Sequence, residues 1–410
     1  MKKSSKILSV FFATFAPYED NRRLPTNGMV EATASFFVPR VKKVLMLIQP
    51  HPGSDRINPV IERYLDAKMK SETTFSKWLY LPVYLVCLFQ KKDRTYVSYK
   101  LRDFISTLVI GLTERGNFDF FIGLESIQTF AGIILRKLGK VKKVIYRVSD
   151  YSPNRYANDL FNSLYLWLDR FCAQNCDYIW DVSPAMQPAR IKAGLDPKKS
   201  APCFVVPNGL FEDQISNEPI DQRIPYSLVY MGTLHYVNGP DLAIESMEIV
   251  KKKFPFAKLH IIGGGEENMK RLKKLVQRLG LSDCVVFHGF IVDNIKMAKV
   301  VKKCYIALAP YREEEKSFRW YADATKIRQY LGSGLPVVTT HVPPLGKQIV
   351  KEGAGLAVSD DKKKFADAII KLITNKKLYA DMSQNSVRLG KDNTWDNVYK
   401  KAFGDIHIDF

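Results

Sequence analysis

Around position 326 the chain places a cation and an amide three residues apart. Lys326 and Gln329 share one face of a helical pattern, Ala322–Leu331, with Asp323 near its first turn and Gly334 beyond its end. An ammonium near a helix start suits a diphosphate, and an amide one turn later can hydrogen-bond ribose hydroxyls. The same spacing also fits two solvated surface residues. Glycines follow two short apolar runs: Gly232-Thr233 after Val229–Met231, with Gly239 opening the next helix, and Gly263-Gly264-Gly265 after Leu259–Ile262. Such glycines let a backbone approach a phosphate closely, although they also serve ordinary strand-to-helix turns. In the other half Asp150 follows the apolar run 144–149. It is either a carboxylate placed to accept a proton or a turn residue ahead of Ser152-Pro153. Arg22, Arg23 and Arg147 are the cations available there for a phosphate or a carboxylate.

These residues need a scaffold, and the hydropathy pattern supplies one. Strands are expected at 7–12, 43–48, 119–124, 144–149, 177–183 and 203–209, with helices at 27–38, 96–115, 126–138, 154–175 and 184–193 between them. The stretch 51–95 shows no clear period. Residues 212–226 are polar, hold two prolines and read as a linker. The alternation then restarts at Ser227 and runs through six strands to Ser359 before ending in helices. This is an α/β chain of two Rossmann-like domains, 1–211 and 227–390, with parallel sheets. A helical segment at 391–410 is expected to pack back toward the N-terminal domain. Ligands in such folds bind at the carboxyl ends of the strands, here facing an interdomain cleft.

The 410 residues carry 62 Lys plus Arg against 42 Asp plus Glu, a net charge of +20. Residues 1–211 hold 31 basic and 18 acidic side chains, so the excess leans toward the first half and toward an anionic partner. No apolar run reaches the roughly 18–20 residues of a membrane span. Ile7–Pro17 follows three lysines as a signal peptide would, but Pro17 disfavours cleavage there and the run reads as a strand. The aromatic run Trp78–Phe89, flanked by Lys77 and Lys91-Lys92, suits either an interface with lipid or a core segment. Six scattered cysteines, none in a C-x-x-C pair, indicate reduced thiols. No G-x-G-x-x-G with a downstream acid and no Walker A lysine is present, which removes dinucleotide oxidoreductases and P-loop ATPases. A nucleic-acid binder is suggested by charge alone and lacks every pattern that would carry it, so no nucleic acid is expected.

The run K-I-R-Q-Y-L-G-S-G-L-P-V-V from Lys326 resembles the nucleotide-sugar site of GT-B glycosyltransferases, especially the family-4-like group. So do P-N-G at 207–209 and G-T-L-H at 232–235. Many members of that group carry two glutamates eight positions apart, where this chain has Tyr321 and Gln329. YRVSDYS (146–152), VSPAM (182–186), Arg22-Arg23 with Asn27, and A-P-Y (309–311) are similar to the membrane-associated, inverting xanthan glucuronosyltransferase type. That resemblance implies Asp150 as catalytic base, Lys326 on the donor diphosphate with Gln329 nearby, and Tyr311, Ile291, Tyr321 and Thr325 around the nucleotide. Phe290 stands where an acidic residue is expected on the base side. It further implies a UDP-linked donor (glucuronate is its sugar), a lipid-linked or polysaccharide acceptor, and a peripheral position on the inner, anionic face of the plasma membrane. With no D-x-D motif, no metal or cofactor is expected, and Lys326 and helix N–H groups carry the diphosphate charge. The competing enzyme reading is a retaining hexosyltransferase using another nucleotide sugar, separable by the anomer of the product.

Overall fold

The computed structural model describes residues 8–24, 28–76, 78, 81, 85, 95–216, 218–291 and 294–408. Asn27 and nearly all of Trp78–Phe89 lie outside the described residues. The chain divides into two compact units, Met1–Pro207 with Tyr399–Phe410, and Asn208–Val398.

The first unit is built on β1 (Ser9–Ala16), whose SVFFATFA run is almost wholly buried, as a strand covered on both faces must be. A separate short antiparallel hairpin follows it, β2 (Tyr18–Glu19) and β3 (Arg22–Arg23), turned at Asp20-Asn21 with both φ angles positive. Helix α1 (Met29–Phe37) leads to β4 (Lys43–Pro50), parallel to β1. A hairpin follows, β5 (Val60–Leu65) antiparallel to β4 and β6 (Lys68–Thr74) antiparallel to β5. The first sheet is therefore mixed, not parallel throughout as the sequence led one to expect. Strand β6, KMKSETT, is exposed along nearly its whole length. An edge strand of this kind is polar and lysine-bearing, and so carries no hydropathy period.

Helix α2 (Thr95–Thr113), β7 (Phe118–Gly123), α3 (Ser126–Lys137), β8 (Val141–Val148), α4 (Asp159–Asn175), β9 (Tyr178–Asp181), α5 (Met186–Lys192) and β10 (Cys203–Val205) complete the series. The sheet order is β10-β9-β8-β7-β1-β4-β5-β6. Helix α4 begins later than its apolar pattern because Asn158 caps it, accepting from the Phe161 N–H at 3.1 Å. From the chain's end, Phe403 packs edge-on to Trp180 at 5.0 Å, and Tyr399 shares a 3.0 Å hydrogen bond with Thr33.

The second unit repeats β-α units without a hairpin. Its strands are β11 (Ser227–Met231), β12 (Lys258–Ile262), β13 (Val285–Gly289), β14 (Ile306–Ala309), β15 (Val337–Thr340) and β16 (Gly355–Val358), all parallel, ordered β13-β12-β11-β14-β15-β16. Helices α6 (Pro240–Lys253), α7 (Glu266–Arg278), α8 (Asn294–Lys303), α9 (Thr325–Gly332), α10 (Pro344–Lys351), α11 (Lys362–Thr374) and α12 (Lys376–Asp392) cover its faces, and α13 (Trp395–Gly404) closes the chain. The segment read as a linker, 212–226, is counted in this unit. Ser216 N–H donates to the Gly332 carbonyl at 2.6 Å, and Arg223 is buried against Tyr379 and Ser383. No described helix is long and apolar enough to cross a membrane.

Candidate active site

In the second sheet β11 is the first strand in sequence, and the chain runs outward from it in both directions, to β12 on one side and β14 on the other. Such a reversal leaves a crevice at the carboxyl ends of the two strands, the usual ligand position in an open parallel sheet. The residues there are Gly232-Thr233 after β11 and Pro310-Tyr311 after β14. The loops are drawn close together. A methyl group on Gly263 would meet the Gly232 carbonyl at 2.1 Å, and one on Gly239 would meet the Pro310 carbonyl at 1.5 Å. Gly239 also has φ of 74°, so no other residue fits there without moving the loop.

Helix α9 delivers Lys326 to this crevice. It starts two residues after Asp323, later than the sequence pattern placed it, because Asp323 is engaged elsewhere. The Asp323 carboxylate takes both the Arg328 guanidinium, at 2.8–2.9 Å, and the Asn208 N–H, at 3.0 Å. The P-N-G motif is thereby tied to the helix start. On the face shared with Lys326, Tyr330 accepts from the Met231 N–H at 2.6 Å and donates to the Leu308 carbonyl at 3.3 Å. One phenol so fixes the helix to β11 and β14 together, one turn below the lysine.

Lys326 itself is buried. Its Nζ lies 4.4 Å from the ring centres of both Tyr230 and Tyr311 and has no hydrogen-bond acceptor. A Cβ on Gly232 would sit 3.7 Å from that nitrogen, so the ammonium points at the glycine turn. Burial first, and then the nearby Arg319 guanidinium, push its pKa well below the ordinary lysine range. Burial pushes the Tyr311 phenol the other way, upward. Of the other residues expected at the donor site, Gln329, Tyr321 and Ile291 are half-buried, while Thr325 and Thr233 are exposed. Phe290 is 74 % exposed at the end of β13, over Gly264. Arg319 had no sequence signal, since a lone arginine in a charged loop looks solvated.

In the first unit Asp150 is exposed, two residues past the end of β8. Its backbone carbonyl accepts from Arg155 at 3.0 Å. Below the turn Arg190 is buried and saturated: its guanidinium meets Asp181 at 2.6 and 2.8 Å, meets Asp169 at 3.0 and 3.2 Å, and stacks on Tyr151. This cluster holds the residue after Asp150 in place. Beyond β7, Glu125 is gripped by Lys100 and Arg155. Burial alone would raise its carboxyl, but those two cations hold it down at about 2. It is therefore a poor proton acceptor beside Asp150.

The arginines proposed as ligand cations divide. Arg22 is exposed on the β2–β3 hairpin. Arg23 is already paired with Glu31 at 3.0 Å and Glu62 at 2.8 Å. Arg147 is fully buried, with its guanidinium directed at the Val206 and Pro207 carbonyls at 3.1 and 3.4 Å. As an inward residue of β8 it holds backbone, contrary to the ligand-facing position expected for it.

Residues 225–375 match the model of the family described as glycosyl transferases group 1. An uncharacterized glycosyltransferase of Haemophilus influenzae is 24 % identical over 308 residues, covering 74 % of this chain and 78 % of that one. Among solved structures, sucrose-phosphate synthase of Thermosynechococcus elongatus superposes with a TM-score of 0.67 at 16 % identity, over 97 % of this chain and 98 % of that one. Anabaena HepE in complex with UDP gives 0.66 at 13 % identity, over 98 % of this chain and the whole of the other. The crevice with the buried lysine thus lies inside the segment that matches the glycosyl transferases group 1 model, in a chain whose fold is GT-B and whose activity is that of a glycosyltransferase.

Proposed function

We propose that the protein transfers a sugar from a UDP-linked donor to a lipid-linked or polysaccharide acceptor with inversion at the anomeric carbon. The observation that carries this reading is Lys326: a buried ammonium without an acceptor, aimed at a glycine turn where two strand ends diverge. A buried charge left unpaired is costly, and a diphosphate relieves it. UDP is favoured as carrier because a structural neighbour of the same fold was solved with it. The sugar is taken as glucuronate from the resemblance to the xanthan enzyme type.

In this reaction the acceptor hydroxyl attacks the anomeric carbon opposite the diphosphate, and Asp150 receives the hydroxyl proton. The bond from the anomeric carbon to the β-phosphate oxygen breaks, and the negative charge left there is met by Lys326 and backbone N–H groups, with no metal required. The basic first half, together with Leu160, Phe161, Leu164 and Trp167 exposed on α4, supports a peripheral position on an anionic leaflet.

Thermal unfolding against UDP, GDP, ADP and dTDP tests the donor site. UDP at a hundredfold excess over Kd adds about 2.7 kcal/mol to the folded state, and Lys326→Ala abolishes the effect. Equal indifference to all four nucleotides would overturn the assignment. For the base, Asp150→Asn lowers turnover by about 10²–10⁴-fold while UDP binding is kept. A product that retains the donor's anomeric configuration would remove Asp150 from that role.

A further inference from the structure

The guanidinium of each of the six buried arginines among the described residues has oxygen partners, Arg147 the Val206 and Pro207 carbonyls and Arg223 the Tyr379 and Ser383 hydroxyls, whereas that of half-buried Arg319, a neighbour of Lys326, has none. Arg102 is held by Asp103, Arg190 by Asp169 and Asp181, Arg312 by Asp360 and Glu245, and Arg328 by Asp323. Arg319 has no such carboxylate. Its Nε is buried without a hydrogen-bond partner, and its guanidinium carbon lies 4.4 Å from the Phe318 ring centre and 5.6 Å from that of Tyr311. Tyr311 is also one of the two rings under Lys326. The loop that carries Arg319 is pinned: Ser317 Oγ accepts from the Arg319 N–H at 3.2 Å, and Trp320 Nε1 donates to the Glu314 carbonyl at 2.9 Å. Three glutamates stand just upstream at 313–315, yet none is paired with it. Two cations therefore flank one tyrosine with no anion between them.

We propose that Arg319 is the second cation of the donor site and grips the same diphosphate as Lys326. The proposal rests on the donor-site reading above and adds to it a residue from the loop between β14 and α9. Like charges in one partly buried crevice repel, and the arrangement is relieved only by an anion carrying more than one charge. A diphosphate carries that charge, and its leaving-group form carries more. As the bond from the anomeric carbon to phosphate breaks, the electron pair moves onto the β-phosphate oxygen, and a guanidinium with free N–H groups receives it well. The residue thus distinguishes diphosphates from monophosphates and nucleosides.

The test is the affinity of the full chain for UDP, UMP and uridine by titration calorimetry, in wild type, Arg319→Met and Lys326→Ala. Arg319→Met is expected to weaken UDP by about tenfold or more, the scale of a lost charged hydrogen bond, and to leave uridine within about twofold. Arg319→Gln, neutral and polar, should behave as Arg319→Met does and gives the same reading should the methionine variant fail to fold. Unchanged UDP affinity, or equal losses for UDP, UMP and uridine, would overturn the proposal, the second outcome marking Arg319 as a loop support only. If Lys326→Ala loses UDP while Arg319→Met binds it normally, the donor site stands and this inference falls. If wild type does not bind UDP, both fall.

Discussion

Arg190 in the first unit and Lys326 in the second are both buried cations, and their surroundings are opposite. Arg190 has two carboxylates, with four contacts between 2.6 and 3.2 Å, and an aromatic ring below it. Lys326 has two aromatic rings and no oxygen. The first arrangement is complete within the chain and does one thing, which is to hold β9, α4 and α5 together under the turn that bears Asp150. The second is complete only with a ligand. A fold keeps an incomplete charge where binding or reaction repays the loss of stability, so the unsatisfied cation marks the site and the satisfied one marks its foundation.

The sharpest way to break this comparison is to treat both cations alike. Arg190→Met leaves Asp169 and Asp181 buried and unpaired, and the free protein should lose about 3–5 kcal/mol in urea unfolding. Lys326→Met removes a charge that nothing in the free protein satisfies, and should leave stability unchanged or raise it by about 1–2 kcal/mol while UDP stabilisation disappears. If Lys326→Met destabilises the free protein as much as Arg190→Met does, the lysine is a core residue and the distinction fails. A smaller effect comes from Tyr330→Phe, which removes the acceptor for the Met231 N–H. It should cost about 1–3 kcal/mol as a buried donor is left unsatisfied, and weaken UDP through a displaced α9.

The repeating strands and helices were legible because buried runs such as SVFFATFA and SLVYM carry a strong period. The hairpin β5–β6 was not, since an exposed edge strand has no apolar face to betray it. The start of α9 was misplaced by Asp323, which reads as a first-turn carboxylate but spends its oxygens on Arg328 and Asn208. Lys326 could be singled out because it sits inside a recognisable run of residues. Arg319 could not, because its significance lies in what it lacks, and an absent partner has no sequence signature. Arg23 and Arg147 show the converse: both are arginines of the expected type in the expected region, and neighbours 31, 62, 206 and 207 already occupy them.

The finest distinction between the two cations is in protons. Lys326 has a native pKa well below the roughly 10.4 of an unfolded lysine, through burial and then Arg319. Between those two values the unfolded chain binds a proton that the free native state does not, so stability of the free protein rises with pH across that window. UDP acts in the opposite sense: it favours the ammonium, so binding takes up a proton and affinity falls as pH rises. The other titratable groups facing Nζ, Tyr230 and Tyr311, are both shifted upward by burial and stay protonated through the same range. Arg190, pushed upward from an already high value, contributes no such slope. Calorimetric titration of UDP in two buffers of different ionisation enthalpy should therefore show proton uptake, up to one per site, that is missing in Lys326→Met. Identical buffer dependence in wild type and Lys326→Met at every pH between about 7 and 10 would show that the lysine never changes protonation when the diphosphate arrives.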